Sequence, residues 1–190
     1  MIELLDFSNQ AESIKRIALV ASATRFQHGS TTIDGVSEYD YTAAVIRRTK
    51  SLLKTDETVR AYTKDHIGAE GVARLAGAFG ADLLIEIGFN VHDSRREGAI
   101  AYCRESDIHS QGTASILLHQ WKDFSKGSDC EVLATSGNSF GARELQLYTD
   151  AGIKSSMIFL PFYADNPRDT QSSMELSNFL FKFISQIKSP

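Results

Sequence analysis

Gly80-Ala81-Asp82-Leu83-Leu84-Ile85-Glu86-Ile87-Gly88-Phe89-Asn90, followed after a polar stretch by Gly98-Ala99-Ile100-Ala101-Tyr102, is the part of the chain that decides the fold. Leu83 to Ile87 is a nearly continuous apolar run behind a helical segment that ends at Gly80. A strand buried on both faces of a parallel sheet reads this way, because helices cover it above and below. Ala99 to Cys103 is a further strand. What stands at the C-terminal end of the 83–87 strand then decides the chemistry, since open α/β sheets place their sites at those ends.

Working outward, short apolar runs alternate with amphipathic segments, the pattern of βαβ units. Ile17-Ala18-Leu19-Val20-Ala21 reads as the first strand, and the polar stretch from Ser22 to Ser37 as a loop at its end. From Tyr39 to Lys54 the apolar positions Tyr41, Ala44, Val45, Leu52 and Leu53 recur at helical spacing, with Arg47, Arg48 and Lys50 on the other face. Strands are expected at 58–63 and 157–160, and helices at 69–79, 111–124 and 174–187. The expected architecture is a three-layer α/β domain spanning residues 1–190, with a mostly parallel central sheet and helices on both faces.

Composition narrows the function. A chain of 190 residues with 42% hydrophobic residues suits one α/β domain. Its 20 Lys and Arg against 24 Asp and Glu give a net charge of −4, and the basic residues are scattered, so no nucleic-acid partner is expected. Cys103 and Cys130 lack the spacing of a zinc or redox site and read as small hydrophobes. Met1 to Arg16 carries Glu3, Asp6 and Glu12 without an apolar core. No run approaches membrane-spanning length. The expectation is a chain without a signal peptide, cytoplasmic at synthesis and not embedded in a membrane.

Several local patterns occur in a fixed order: Gln27-His28-Gly29-Ser30, then Gly35-Val36-Ser37-Glu38-Tyr39-Asp40, then the 81–90 strand and its Gly98-led successor, and last Met157-Ile158-Phe159-Leu160-Pro161-Phe162-Tyr163-Ala164-Asp165-Asn166. In this order the chain resembles the zinc-dependent N-acetylmuramoyl-L-alanine amidases of the type-3 family from about Ile17 to Asp169. Those enzymes cleave the bond between the glycan and the stem peptide of peptidoglycan. The resemblance implies an amidase-like, zinc-exopeptidase-like fold. It also implies that His28 and Glu38 stand where the family has its first histidine and its glutamate ligand. At the family's second histidine this chain has Gly88, and at its catalytic glutamate it has Leu160.

A catalytic zinc needs three protein ligands and an open position for water, with a carboxylate nearby to move the proton. His28 and Glu38 alone hold zinc poorly, and Leu160 moves no proton, so no catalytic residue is assigned. Glu86 lies two positions before Gly88 and so on the same face of its strand, which makes His28, Glu38 and Glu86 the candidate metal set. His92 is an alternative ligand from the following loop. Each has a plainer explanation. Glu86 pairs with Arg60 or Lys64, His92 is an exposed loop residue, and Glu38 stabilises a helix start that Ser37 caps. The loop before His28 is also longer than the family pattern, which leaves Ala23 or Thr24 as the alternative first position. Asn90, His92, Arg95 and Arg96 are the candidate substrate contacts, the two arginines facing an anionic stem peptide.

The remaining motifs are structural by default. Asp65-His66 is an exposed turn. His109 and His119 are not spaced as a ligand pair, and Trp121, Phe124, Phe159, Phe179 and Phe183 are core aromatics, while Phe162 and Tyr163 at a strand end line a pocket. Ser136 to Gly141 is a flexible loop without the features of a phosphate cradle. The first expectation is therefore an amidase-like domain that has lost zinc hydrolysis. It would bind peptidoglycan or a protein assembly such as a phage tail or lysis system, be virion-associated or released to the cell wall, and carry no cofactor. The alternative is a remodelled metal amidase that uses zinc. A metal-free peptidase or esterase comes third, since no Gly-x-Ser-x-Gly elbow is present.

Overall fold

A computed structural model of the chain describes residues 14–32, 35–54, 56–89, 98–125, 129–161 and 173–188. In chain order the elements are β1 (Ile17–Ala21), α1 (Glu38–Leu52), β2 (Val59–Thr63), α2 (Gly68–Phe79), β3 (Leu83–Ile87), β4 (Ala99–Arg104), α3 (Ile108–Phe124), β5 (Cys130–Thr135), α4 (Ala142–Asp150), β6 (Ser155–Leu160) and α5 (Ser173–Ile187). The strands form one sheet in the order β2-β1-β3-β6-β4-β5. β2, β1, β3 and β6 run parallel, while β4 and β5 run parallel to each other and antiparallel to β6. The sheet is mostly parallel, as expected, with a reversed pair at one side.

The central strands are apolar on both faces because both are covered. Every residue of β1, β3 and β6 is buried. On one face Leu19, Ile85, Met157 and Phe159 pack with α1, α3 and α5, where Trp121, Phe179 and Phe183 fill the layer. Trp121 lies edge-on to Phe159 and Phe179, with ring centroids 5.6 and 4.9 Å apart, so the aromatics read as core do form it. On the other face Val20, Leu84, Ile158 and Leu160 pack with Val72 and Ala76 of α2 and Leu145 and Tyr148 of α4. Cys103 is buried in the first layer, where burial, and next the charge of Asp107, push its thiol up to about 12.

Two elements carry no clear sequence signal. β5 is an edge strand, mostly half-buried or exposed along its length, so its pattern is blurred. α4 begins after Gly141 with no side-chain cap. The Ser136–Gly141 stretch is the short connection between them, held by Ser139 Oγ accepting from the Ser136 amide at 2.9 Å. α3 starts at Ile108, earlier than its apolar pattern indicates, because Asp107 caps it by accepting from the Ser110 amide at 2.9 Å.

The topology fixes where a site can lie. The chain passes from β1 to β2 on one side and then to β3 on the other side of β1, so the strand order reverses at the C-terminal ends of β1 and β3. In an open α/β sheet that reversal leaves a crevice outside the strand ends. Ser22 and Gly88 are the first residues beyond those two strands. Among the described residues, no helix is long and apolar enough to cross a membrane.

Candidate functional site

Glu38 closes the crevice. It is the first residue of α1, whose N-cap is Ser37: the Ser37 hydroxyl accepts from the Asp40 amide at 3.1 Å and donates to the Asp40 carboxylate at 2.7 Å. With the helix start secured this way, the Glu38 side chain turns back over the strand ends. It is 8% exposed. Its Oε1 accepts from the Ser22 hydroxyl at 2.5 Å and from the Phe89 amide at 3.0 Å, and its Oε2 accepts from the Ser30 amide at 3.1 Å. The carboxylate thus ties together the end of β1, the loop before α1 and the end of β3. Ser22 is the residue that sequence reasoning missed. Its only signal is a hydroxyl placed immediately after a buried strand.

Two glycines make room for this arrangement. Gly29 has φ of +70°, and a Cβ there would lie 2.2 Å from Glu38 Oε2. A Cβ on Gly88 would lie 2.7 Å from Ser22 Oγ, 2.8 Å from Glu38 Oε1 and 3.0 Å from Leu160 Cδ2. Glu38, Gly88 and Leu160, far apart in sequence, therefore meet at one point. A larger residue at 88 must displace the carboxylate or its donors.

The other candidate ligands point elsewhere. His28 is exposed and lies edge-on to Tyr39 with centroids 6.5 Å apart, while its carbonyl accepts from the Tyr39 amide. Glu86 does not turn toward the place beside Gly88. It is 3% exposed, on the face covered by α2 and α4, and its oxygens accept from Lys64 Nζ and the Tyr148 hydroxyl at 2.5 Å each. A buried carboxylate must have a cationic or hydrogen-bonding partner, and Lys64, just past the end of β2, supplies the charge. Of the two pairings open from the sequence, Lys64 is the actual one, while Arg60 sits over the Phe79 ring at 4.3 Å. Burial, and next the charge and hydrogen bond of Glu86, push the Tyr148 phenol well above its ordinary range, so it remains the donor.

Asp65 is likewise engaged within the chain, accepting from the Arg25 amide at 2.6 Å and from the Tyr39 hydroxyl at 2.7 Å. His109 and His119 both lie on α3. Asn90, His92, Arg95 and Arg96, and with them Phe162 and Tyr163, lie outside the described residues.

The described residues do not by themselves assemble a three-ligand zinc site. No group of three or more His, Cys, Asp or Glu among them is placed to hold a metal. At the strand ends a single carboxylate has both oxygens occupied by donors, Gly88 offers no ligand, and Leu160 is an apolar wall. Among the described residues, three hydrogen bonds hold the Glu38 carboxylate in the crevice.

No protein-family model matches the sequence, and no curated protein sequence is recognisably similar to it. Solved structures are similar in fold. The N-acetylmuramoyl-L-alanine amidase of Clostridium difficile 630 superposes with a TM-score of 0.72 at 11% identity, over 92% of this chain and 96% of that one. The CwlD amidase of Clostridioides difficile, solved in complex with the GerS lipoprotein, gives 0.70 at 14% identity over 91% and 98%. The catalytic domain of the CD27L endolysin, which targets the same species, gives 0.63 at 10% identity over 90% and 97%. At such identities the likeness establishes architecture, while function rests on the site. The chain has the fold of the N-acetylmuramoyl-L-alanine amidases.

Proposed function

We propose that this chain is an amidase-fold domain that binds peptidoglycan without zinc-dependent hydrolysis, as a recognition or structural module of a cell-wall-directed assembly such as a phage tail or lysis system. The observation that carries the reading is the state of Glu38. In a metal amidase the carboxylate at this place would face an ion. Here it accepts from Ser22, Ser30 and Phe89, and the positions beside it are Gly88 and Leu160. Leu160 supplies no proton transfer, and general acid–base help is what departure of an amide nitrogen requires. Peptidoglycan is the ligand favoured by the fold, since the similar structures include cell-wall amidases and an endolysin domain.

The experiment is co-sedimentation of the full chain with purified sacculi, combined with metal analysis and assay of released stem peptides with and without added zinc. Retention on sacculi with no release under either condition is expected. Zinc-dependent release would replace this reading with the remodelled metal amidase. Failure to sediment would remove peptidoglycan as the ligand.

A further inference from the structure

The segment from Ser22 to Ser30 springs from the rim of the crevice, because both its ends donate to the Glu38 carboxylate. A tight turn closes its middle. The Thr24 amide donates to the Gln27 carbonyl at 3.0 Å, and the Gln27 amide donates to the Thr24 carbonyl at 3.2 Å and hydroxyl at 2.9 Å. Arg25 and Phe26 are the two residues at its tip, and Phe26 is 67% exposed. A ring held that far out in water gains little from folding, since the gain follows the apolar area removed from water.

A second turn is set against the first. Past the end of β2 the Lys64 carbonyl accepts from the Ile67 and Gly68 amides at 3.3 and 2.9 Å, and His66 between them takes a left-handed backbone with φ of +63°. A side chain in that region carries strain, and such strain gathers at binding sites. Here it brings the exposed His66 ring edge-on to Phe26, with centroids 5.1 Å apart. Asp65 fastens the unit together by accepting from the Arg25 amide at one turn's tip and from the hydroxyl of Tyr39, the residue after Glu38. His28, exposed as well, lies edge-on to Tyr39 on the same rim. Neither imidazole is hydrogen-bonded among the described residues.

This combination selects the ligand. A pyranose has an apolar C–H face that stacks on an aromatic ring, and a belt of hydroxyl and acetamido groups that needs donors and acceptors. An exposed ring beside two unoccupied imidazoles offers both. An apolar helix or a lipid surface would need a contiguous apolar patch, and around Phe26 only Ile67, 38% exposed, adds to it.

We propose that Phe26 and His66 form a sugar-stacking subsite at the mouth of the Glu38 crevice, where Phe26 stacks on one N-acetylhexosamine ring of a glycan strand and His66 hydrogen-bonds its polar substituents. The subsite rests on the peptidoglycan reading and narrows it to the glycan rather than the stem peptide. Titration of the ¹⁵N-labelled full chain with chitotetraose and, separately, with the tripeptide L-alanyl-γ-D-glutamyl-L-lysine tests this. Saturable amide shifts centred on residues 24–27 and 65–67 are expected with the sugar and not with the peptide. Phe26→Ala should raise the Kd for chitotetraose about tenfold, the loss of one stacked ring. Phe26→Leu should be as weak, because it keeps apolar bulk without a ring face, while Phe26→Trp should bind at least as well as the parent. His66→Asn, which tolerates the left-handed backbone, should weaken binding without lowering the Tm. Absence of saturable shifts with chitotetraose, shifts at these residues with the tripeptide alone, or parental affinity in Phe26→Leu would overturn the proposal. Retention on sacculi without chitotetraose shifts removes the subsite alone, and chitotetraose shifts without retention remove the peptidoglycan reading alone.

Discussion

Oε1 of Glu38 lies 3.0 Å from the amide nitrogen of Phe89, which joins the first residue of α1 to the residue after Gly88 across 51 positions of sequence. The same oxygen holds the Ser22 hydroxyl. One side chain therefore locks the end of β1 to the end of β3 at the point where the strand order reverses. In this fold the strand ends are where chemistry is placed, and here a carboxylate is used as a clamp.

Glu38→Ala should consequently act on stability. It leaves the Phe89 amide without its buried acceptor and removes those of Ser30 and Ser22, at a cost of about 3 kcal/mol for hydrogen bonds to a charged group. Glu38→Gln, which keeps one acceptor oxygen, should cost less. Urea unfolding in the presence of a chelator measures both. If Glu38→Ala unfolds at the same midpoint as the parent chain, the clamp is not what holds the strand ends.

Placing a histidine at this position by Gly88→His should not create a metal site. The new Cβ meets Ser22 Oγ, Glu38 Oε1 and Leu160 Cδ2 at 3.0 Å or less, so the side chain must break the clamp to fit. A lowered Tm, with no zinc retained after dialysis, is the expected result. Adding Leu160→Glu supplies a carboxylate but leaves Ser22 competing for Glu38, and Ser22→Ala in the same chain should relieve that competition. Stoichiometric zinc in the single variant would show that the crevice is a vacant metal site after all.

How much of this was legible depends on how local each signal is. Leu83 to Ile87 and Ile17 to Ala21 announce buried strands because all their side chains except that of Glu86 are apolar, and Gly80 marks the end of α2 with a left-handed backbone. Edge strand β5 and the uncapped start of α4 are blurred for the opposite reason: exposure relaxes the pattern, and a helix without a side-chain cap leaves no punctuation. At the site, the resemblance to the amidases implied that positions 38, 88 and 160 belong together, and Glu38, Gly88 and Leu160 do lie side by side. The direction of Glu86 was not implied. Strand periodicity assigns it to the same face as Gly88, but Lys64 and Tyr148, which take both its oxygens, come from other elements 22 and 62 residues away.

That buried triad gives a third prediction. Lys64→Met leaves the Glu86 carboxylate buried with only the Tyr148 hydroxyl, and removing one partner of a buried ion pair costs about 3–5 kcal/mol. The double variant Lys64→Met, Glu86→Gln should recover part of that loss, because the uncompensated charge disappears with its partner. Unfolding free energies of the two single variants and the double form the cycle. Additive losses would mean that Lys64 and Glu86 are not coupled, contrary to their 2.5 Å contact.

Acid should loosen the chain's end through Asp56. Its carboxylate accepts from Lys188 Nζ at 2.5 Å and from the Thr58 amide at 3.0 Å, so the residue after α5 is fastened to the turn before β2. Burial pushes the Asp56 carboxyl up, but the hydrogen bonds from Lys188 and Thr58 outweigh it and hold the group down at about 2, against an ordinary 3.8. A folded value below the ordinary one means that this stabilisation is complete above about pH 4 and is lost as pH falls through about 2. The Lys188 and Asp56 side chains remain 19% and 26% exposed, and solvent limits the effect to about 1 kcal/mol. Asp56→Asn should therefore lower stability at pH 7 and flatten its fall between pH 4 and 2, as measured by urea midpoints across that range. Lys188→Met should do the same to a smaller degree, since the Thr58 donors remain. An unchanged slope in Asp56→Asn would assign the acid sensitivity to other carboxylates.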